Sequence, residues 1–405
     1  MPDLASPERR RFLRAQVAAG ALAGLAPAAL ATNAAPHVKR YRTLGRTGLE
    51  ISDISFGSSR LREGEEQLVR FALERGINYF DTAYGYTGGD SERVIGKVLA
   101  GVRDEVVLVS KVENSADWPR ARMMSQLDAS LTRLKTDYID IYMAHAVNDQ
   151  ARLENDEWHE FVRQAKKDGK IRFAGMSGHA GNLIPCLDYA LDQDMVDVIL
   201  VAYNFGQDPA FYEQFTRSFN YVSNQPDLPR VLAKAKQKNV GVVTMKTLMG
   251  ARLNDMRPFE AGGATFAQAA FRWVLSNPHL DALVVSMTSE AQIAEYLGAS
   301  GATSLAEGDV ALLERYASMN GLTYCRHACN DCAGACPYGV DIADVLRTRM
   351  YATDYADLAF ARSEYARIAV NAAACLGCSG EPCRQACTHG LAIDQMCGPT
   401  HRMLA

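Results

Sequence analysis

Two groups of side chains in this 405-residue sequence have types and spacings that could do chemistry. The first is Asp81, Lys111 and His145, each closing a β-branched run, with Tyr86 five residues after Asp81. Buried together, such groups could move a proton to or from a reacting oxygen. Tyrosine, with a pKa of about 10, is a poor acid–base near neutrality unless a cation lowers that value. Taken singly, each residue has a plainer reading: a helix-capping Asp, a solvated Lys, a satisfied core His. The second group is nine cysteines in the last 81 residues, a density that marks a disulfide scaffold or a metal-binding module. Their spacing is Cys325-x3-Cys329-x2-Cys332-x3-Cys336-Pro337, then Cys375-x2-Cys378-x4-Cys383-x3-Cys387, with Cys397 further on. C-x2-C pairs suit a shared metal better than separate staples, and zinc as well as disulfides compete for such thiols. Cys186, alone on an apolar helical stretch, reads as a small core residue.

The elements that must position these groups alternate along residues 41–321. The short runs are Ile51–Phe56, Ile77–Asp81, Val106–Lys111, Tyr138–His145, Ile171–Ser177, Val196–Asn204, Val240–Met245 and Leu280–Ser286. Amphipathic stretches such as Glu65–Arg75, Arg120–Leu134, Glu157–Lys167 and Phe266–Leu275 lie between them. Eight such units predict an α/β fold, a (β/α)8 TIM barrel. A doubly wound sheet is second, because no G-x-G-x-x-G follows the first run. The aromatic segment 205–225 exceeds a usual βα loop; it either walls the barrel mouth or packs on itself as a short helix. The basic run Arg163–Arg172 reads as a solvated face. With 48% hydrophobic and 22% charged residues the chain is of the ordinary globular class. Its 43 basic against 47 acidic residues argue against a nucleic-acid partner.

Residues 1–31 stand outside this pattern. Arg9-Arg10-Arg11-Phe12-Leu13-Arg14 precedes an uncharged Ala/Gly/Leu stretch ending in Ala29-Leu30-Ala31. This resembles a twin-arginine export signal, and it implies a periplasmic protein exported in the folded state. An uncleaved anchor is disfavoured by the short length and by Pro27, Gly20, Gly24 and Gln16. Removing these residues leaves a formal charge of about −6.

Phe80-Asp81-Thr82-Ala83-Tyr84-Gly85-Tyr86, Ser91-Glu92, Val109-Ser110-Lys111 and Asp140–His145 together resemble the aldo/keto reductase family, as do Ile171–Ser177 and Arg272-Trp273. The resemblance covers roughly residues 41–320. It implies a catalytic tetrad of Asp81, Tyr86, Lys111 and His145. Tyr86 would exchange the proton, Lys111 lower its pKa, Asp81 hold the ammonium, and His145 orient the carbonyl oxygen. Cofactor-binding positions fall on Ser177, Lys246, Ser286 and Gln292. Ser286 and Gln292 stand where NADPH-using members carry a Lys and an Arg for the 2′-phosphate, with Glu290 nearby. The amide-binding Gln appears as Leu200, and an Asn as Gly178. Hence NAD(P)(H) is an open expectation: NAD(H) binds, a nicotinamide binds weakly, or the electron source has changed.

The cysteine tail resembles a bacterial two-cluster ferredoxin, in which the fourth cysteine of each run crosses to the other cluster. That resemblance implies two [4Fe–4S] clusters. One would be held by Cys325, Cys329, Cys332 and Cys387, the other by Cys375, Cys378, Cys383 and Cys336. The x3 and x4 steps and Thr388 in place of Pro depart from the ferredoxin pattern, and Cys397 could replace a ligand. The expected organisation is a signal peptide over 1–35, a barrel over 38–320 and a ferredoxin-like α-helical and loop domain over 321–405. The expected activity is an exported oxidoreductase acting on a small-molecule carbonyl or alcohol, with a redox partner protein or membrane electron carrier. The rival is an electron-transfer protein whose barrel is a docking scaffold without turnover.

Overall fold

Strands and helices alternate through a barrel that closes on itself. The computed structural model describes residues 36–179, 182–206, 225, 227–248, 256–260, 265–320 (backbone only over 317–320), 325, 331–353 and 357–405. The 1–35 signal, most of segment 205–225 and Cys329 lie outside the described residues. The strands are β1 (Tyr41–Thr43), β2 (Glu50–Ser52), β3 (Ile54–Gly57), β4 (Tyr79–Asp81), β5 (Val107–Val112), β6 (Ile139–Ala144), β7 (Ile171–Gly178), β8 (Val198–Ala202), β9 (Gly241–Met245) and β10 (Ala282–Ser286). Strands β3 to β10 form an eight-stranded closed parallel barrel, in which β10 pairs with both β3 and β9. Between and beyond them run α1 (Glu66–Glu74), α2 (Asp90–Leu99), α3 (Arg120–Leu134), α4 (Ala151–Glu154), α5 (Asp156–Lys167), α6 (Leu183–Asp192), α7 (Leu228–Gln237), α8 (Phe266–Leu275), α9 (Glu290–Leu297) and α10 (Asp309–Asn320).

The run Ile51–Phe56 is not one strand. Asp53 breaks it by accepting hydrogen bonds from Ser300 Oγ and Gly301 N, both at 2.6 Å. Ile51 therefore joins an antiparallel β1–β2 hairpin, and Ile54 starts the barrel wall. The basic run is more anchored than a free solvated face. Lys166 pairs with Asp197, Lys170 with Asp128, and Arg172 with the buried Asp140.

Two-residue periodicity sorts the barrel side chains. Tyr79, Val107, Val109, Ile141, Met143, Val198, Leu200, Val243 and Val284 fill the interior with Leu44 and Ile51 of the hairpin region. Leu108, Val112 and Tyr142 face outward into the larger core beneath the helices. Asp81, Lys111 and His145 continue the inward parity of Tyr79, of Val107 and Val109, and of Ile141 and Met143. They are the polar top of columns that are otherwise apolar, at the strand ends where such barrels keep their chemistry.

The tail has its own apolar cluster, though Pro36–Ala405 form one compact unit. It contains α11 (Ile342–Thr353), α12 (Leu358–Tyr365), α13 (Pro382–Ala386) and α14 (Ile393–Leu404). Val345, Leu346, Ala361, Tyr365, Ile393 and Leu404 make the centre. Tyr365 Oη lies 2.8 Å from His401 Nδ1 and accepts from Ala372 N, so its one polar atom is satisfied inside that core. Among the described residues no helix is long and apolar enough to cross a membrane.

Candidate active site

Strands β4, β5 and β6 bring the four candidates together. Lys111 Nζ donates to Asp81 Oδ1 and to Thr82 O, both at 2.7 Å. The pair is buried, with side chains 1% and 6% exposed. Tyr86 stands over it: Lys111 Nζ is 5.0 Å from the Tyr86 ring centroid. His145 meets the same ring edge-on, with centroids 5.5 Å apart and planes at 76°. Among the described residues neither the Tyr86 hydroxyl nor the His145 ring has a hydrogen-bond partner, which leaves both for a ligand.

The loop that carries Tyr86 is fixed from behind. Glu92, fully buried on α2, accepts from Ser110 Oγ at 2.7 Å and from Arg133 Nη1 at 3.1 Å. Arg133 also donates to Tyr84 O at 3.0 Å. Its guanidinium passes so close to Gly89 (φ 92°) that a side-chain carbon there would stand 2.9 Å away. Thr87 adopts a left-handed conformation, φ 49°, at a local cost, and its Oγ1 donates to Leu61 O at 2.7 Å. Ser91-Glu92 is visible in the sequence, but only the fold pairs Glu92 with Arg133.

The electrostatics differ in one respect from the sequence expectation. Burial pushes the Tyr86 phenol well above its ordinary value, and the nearby acids Asp81, Tyr351, Glu364 and Glu113 push the same way. The Lys111 ammonium, paired with Asp81 at 2.7 Å, does not outweigh the burial. Burial lowers Lys111 and raises Asp81, and each opposes that shift in the other. Tyr86 thus rests as a neutral acid. His145 is held well below its ordinary value by burial, then by the positive fields of Lys111, Arg152, Arg367 and Lys246. The unfolded chain therefore binds this proton more readily than the folded one. Stability from neutral His145 is complete above about pH 6.5 and is lost as pH falls below it. Melting midpoints of wild type should accordingly drop more between about pH 7.5 and 5.5 than those of H145Q. Parallel curves would place the ring in water.

The cofactor-binding candidates share the barrel's upper end without forming one cluster. Ser177 is buried and its Oγ accepts from Ala146 N at 2.9 Å, a structural bond between neighbouring strand ends. Ser286 Oγ lies 2.8 Å from Ser59 Oγ. Gln292 is engaged locally: its Oε1 accepts from Thr288 N and Oγ1 at 2.9 Å, while its N–H donates to Ser289 Oγ at the start of α9. Leu200 is core. At Gly178 a side-chain carbon would meet Leu183 Cδ1 at 2.5 Å and Val147 O at 3.1 Å, so Leu183 fills the space an Asn would need. Lys246 follows β9 in a left-handed conformation, φ 58°.

The structure adds residues that the sequence did not flag, all from the tail. Asp357 forms ion pairs with Arg60 at 3.1 Å and Arg62 at 2.8 Å, after β3. Arg367 pairs with Glu113, after β5, at 3.0 Å. Met350 of α11 packs on the barrel's outer core. No periodicity relates these positions to the barrel, so nothing in the sequence signals them.

Cys186, Cys332, Cys336, Cys375, Cys378, Cys383, Cys387 and Cys397 are free thiols. Cys336, Cys375, Cys378, Cys383 and the buried Cys397 line one cavity of about 450 Å³, part of it open to solvent. Four of the five are the second quartet that the ferredoxin resemblance implies. Cys325, Cys332 and Cys387 pack at the edge of the tail core. Among the described residues no three His, Cys, Asp or Glu side chains are arranged to hold a single metal ion. Cys186 is buried on α6, with its thiol pushed up to about 11 by burial, as expected of a core residue.

Comparison with known proteins places residues 53–262 in the Aldo/keto reductase family. L-galactose dehydrogenase of Arabidopsis thaliana is 27% identical over 297 residues, covering 64% of this chain and 87% of its own length. L-glyceraldehyde 3-phosphate reductase of Escherichia coli K12 is 24% identical over 323 residues, 68% and 92% of the two chains. A crystal structure of an aldo/keto reductase from Klebsiella pneumoniae in complex with NADP and acetate matches with a TM-score of 0.54 at 26% identity, covering 69% of this chain and 96% of that one.

Proposed function

Because the chain belongs to the aldo/keto reductase family, a family of oxidoreductases, we propose that its barrel interconverts a carbonyl and an alcohol at Asp81, Tyr86, Lys111 and His145. The observation that carries this reading is the buried Lys111–Asp81 pair beneath Tyr86, with His145 against the same ring. In the reductive direction the carbonyl gains two electrons and two protons, and the hydrogen on its carbon would arrive within a nicotinamide hydride or, with electrons from the tail, as a proton from solvent. The Tyr86 hydroxyl gives one proton to the carbonyl oxygen, and the neutral His145 ring donates a hydrogen bond to that oxygen, orienting it. Lys111 and Asp81 hold the base of the site rigid and nearly charge-neutral. In oxidation the same contacts run in reverse.

The tail is proposed to hold two [4Fe–4S] clusters, which would supply one-electron transfer. Cys336, Cys375, Cys378 and Cys383 suit one of them: they come from both runs, line one cavity and are free thiols. The other is assigned to Cys325, Cys329, Cys332 and Cys387, of which Cys329 lies outside the described residues. Anaerobically purified full chain should contain about eight iron and eight sulfide. C383S should lose about half of each. Stoichiometric zinc without iron would contradict the assignment.

For a nicotinamide the fit is thinner, and when bound it would supply hydride. The matching Klebsiella structure holds NADP. Here Ser286 and Gln292 offer no cation to a 2′-phosphate, and Glu290, which accepts from Gln67 at 2.6 Å, adds a negative charge. NADPH should therefore bind no more tightly than NADH in direct titration, and a strong NADPH preference would refute this. Export of the folded protein to the periplasm is proposed from Arg9 and Arg10. R9K/R10K should stay in the cytoplasm, and unchanged export would remove the twin-arginine reading. A redox partner protein or membrane carrier would then exchange electrons with the tail.

A further inference from the structure

The loop after β3 and the loop that carries Tyr86 are bonded to each other. Ser58 Oγ donates to Asp81 O at 2.6 Å, Ser91 Oγ donates to Ser58 Oγ at 2.6 Å, and Thr87 Oγ1 donates to Leu61 O at 2.7 Å. Thr87 follows Tyr86 directly, and it reaches Leu61 from a left-handed conformation that a threonine takes only at a cost. That bond holds the loop only if Leu61 is itself held. Arg60 and Arg62 flank it, and both guanidiniums converge on one tail carboxylate oxygen, Asp357 Oδ2, at 3.1 and 2.8 Å. The Asp357 side chain is 12% exposed and that of Arg60 15%, so these are shielded, charge-assisted bonds rather than surface pairs.

The other side of Tyr86 is held from the same helix. Asp357 is the N-cap of α12, accepting from Phe360 N at 3.1 Å, and Arg367 lies just beyond the helix's far end. Arg367 pairs with Glu113, after β5, at 3.0 Å. The pair lies against Gly85, which precedes Tyr86: a side-chain carbon there would stand 3.4 Å from Arg367 Nη2 and 3.8 Å from Glu113 Oε1. With side chains 47% and 57% exposed, it is the weaker of the two ties. Between the ties, Ala361 and Tyr365 anchor α12 in the tail core, against which Cys336, Cys375 and Cys383 pack. Asp357 N donates to Tyr351 O at 3.0 Å, and the Tyr351 and Phe360 rings meet edge-on at 4.8 Å, which fixes α12 to α11. One helix thus joins the cysteine-bearing core to the segments on both sides of Tyr86.

We propose that α12 is a strap that positions the Tyr86 loop, with Asp357 and Arg367 as its positioning residues. The inference rests on the carbonyl/alcohol reading of Tyr86 for its effect on rate, though not for its effect on the loop. It makes turnover in the barrel depend on an assembled tail, whatever electrons the tail carries.

The test takes two readings on the full chain. One is hydrogen exchange of residues 84–92. The other is steady-state reduction of 4-formylbenzoate, pyruvate and glyceraldehyde, with NADH or reduced methyl viologen as the electron source. D357N keeps a capping oxygen and loses the charge. Its amides over 84–92 should exchange at least about tenfold faster than in wild type, while those of β5 and β6 keep wild-type protection. Its kcat should fall about 10–100-fold with KM nearly unchanged, the cost of a misplaced catalytic group. R60Q/R62Q should do the same, and combining it with D357N should add little, because both break one tie. R367A should show both effects more weakly. R362A, which removes an exposed charge from α12 itself, should show neither. Wild-type exchange over 84–92 in both D357N and R60Q/R62Q overturns the proposal. Faster exchange throughout the barrel also overturns it, since Asp357 would then be a general stabiliser. So does faster loop exchange in an active enzyme whose kcat is unchanged. Loop-local exchange in D357N, with a wild type that reduces none of the three compounds, sinks the carbonyl/alcohol reading and leaves the strap standing. An active wild type whose loop exchange is untouched by D357N does the opposite.

Discussion

Replacing Tyr86 by Phe should lower carbonyl turnover by about 10²–10⁴-fold, the usual cost of removing a positioned acid–base. The effect should fall on kcat with little change in KM, because the proton moves in the transition state. Stability should hardly change, since among the described residues the hydroxyl makes no hydrogen bond whose loss would be felt. Burial keeps the phenol neutral, so the reductive direction should need no deprotonation near neutral pH. The oxidative direction must form or share the phenolate, and should speed up as pH rises. Steady-state rates of wild type and Y86F in both directions, over a pH series, check all of this. Equal rates in the two proteins would leave the barrel as a scaffold.

Lys111→Met carries the second large effect, and it strikes stability as well as rate. The ammonium supplies the hydrogen bond to Asp81 Oδ1, while Asp81 Oδ2 is buried without a partner. Removing Lys111 strands a carboxylate in the barrel, and breaking a buried pair from one side costs about 3–5 kcal/mol. Denaturant unfolding should show a loss of that order. The double variant D81N/K111M removes both charges and should recover much of the stability, yet turnover should stay low because the support beneath Tyr86 is gone. An unchanged unfolding midpoint for K111M would mean that the pair is hydrated.

The barrel was legible because its signals are local. Two-residue alternation marks Val107, Val109 and Lys111 as one column, and α3 and α8 match the expected Arg120–Leu134 and Phe266–Leu275. The tetrad came from strand-end position and from the resemblance to the aldo/keto reductases, and the parity of Asp81, Lys111 and His145 agrees with it. The break at Asp53 was not legible, because it depends on Ser300 and Gly301, some 250 residues away. Nor was the fate of Gln292. Its place in the chain resembles a phosphate-binding position, but Thr288 and Ser289 draw it into the start of α9. The direction of the Tyr86 shift was not legible either, because the spacing shows a cation near the phenol and not the burial that outweighs it. Asp357 and Arg367 act through ion pairs with the segments after β3 and β5. No pattern within the tail could announce those.

The most direct test of the account is a single-turnover experiment without nicotinamide. Full chain is reduced anaerobically with dithionite, freed of reductant, mixed with 4-formylbenzoate and analysed for the alcohol. The two clusters proposed for the tail would supply two electrons, with one proton from Tyr86 for the oxygen and one from solvent for the carbon, so about one alcohol per chain should form. Y86F, reduced to the same extent, should form it far more slowly. No alcohol from the reduced protein, with full turnover once NADH is added, would contradict the account and make the barrel a nicotinamide enzyme that takes no electrons from its tail.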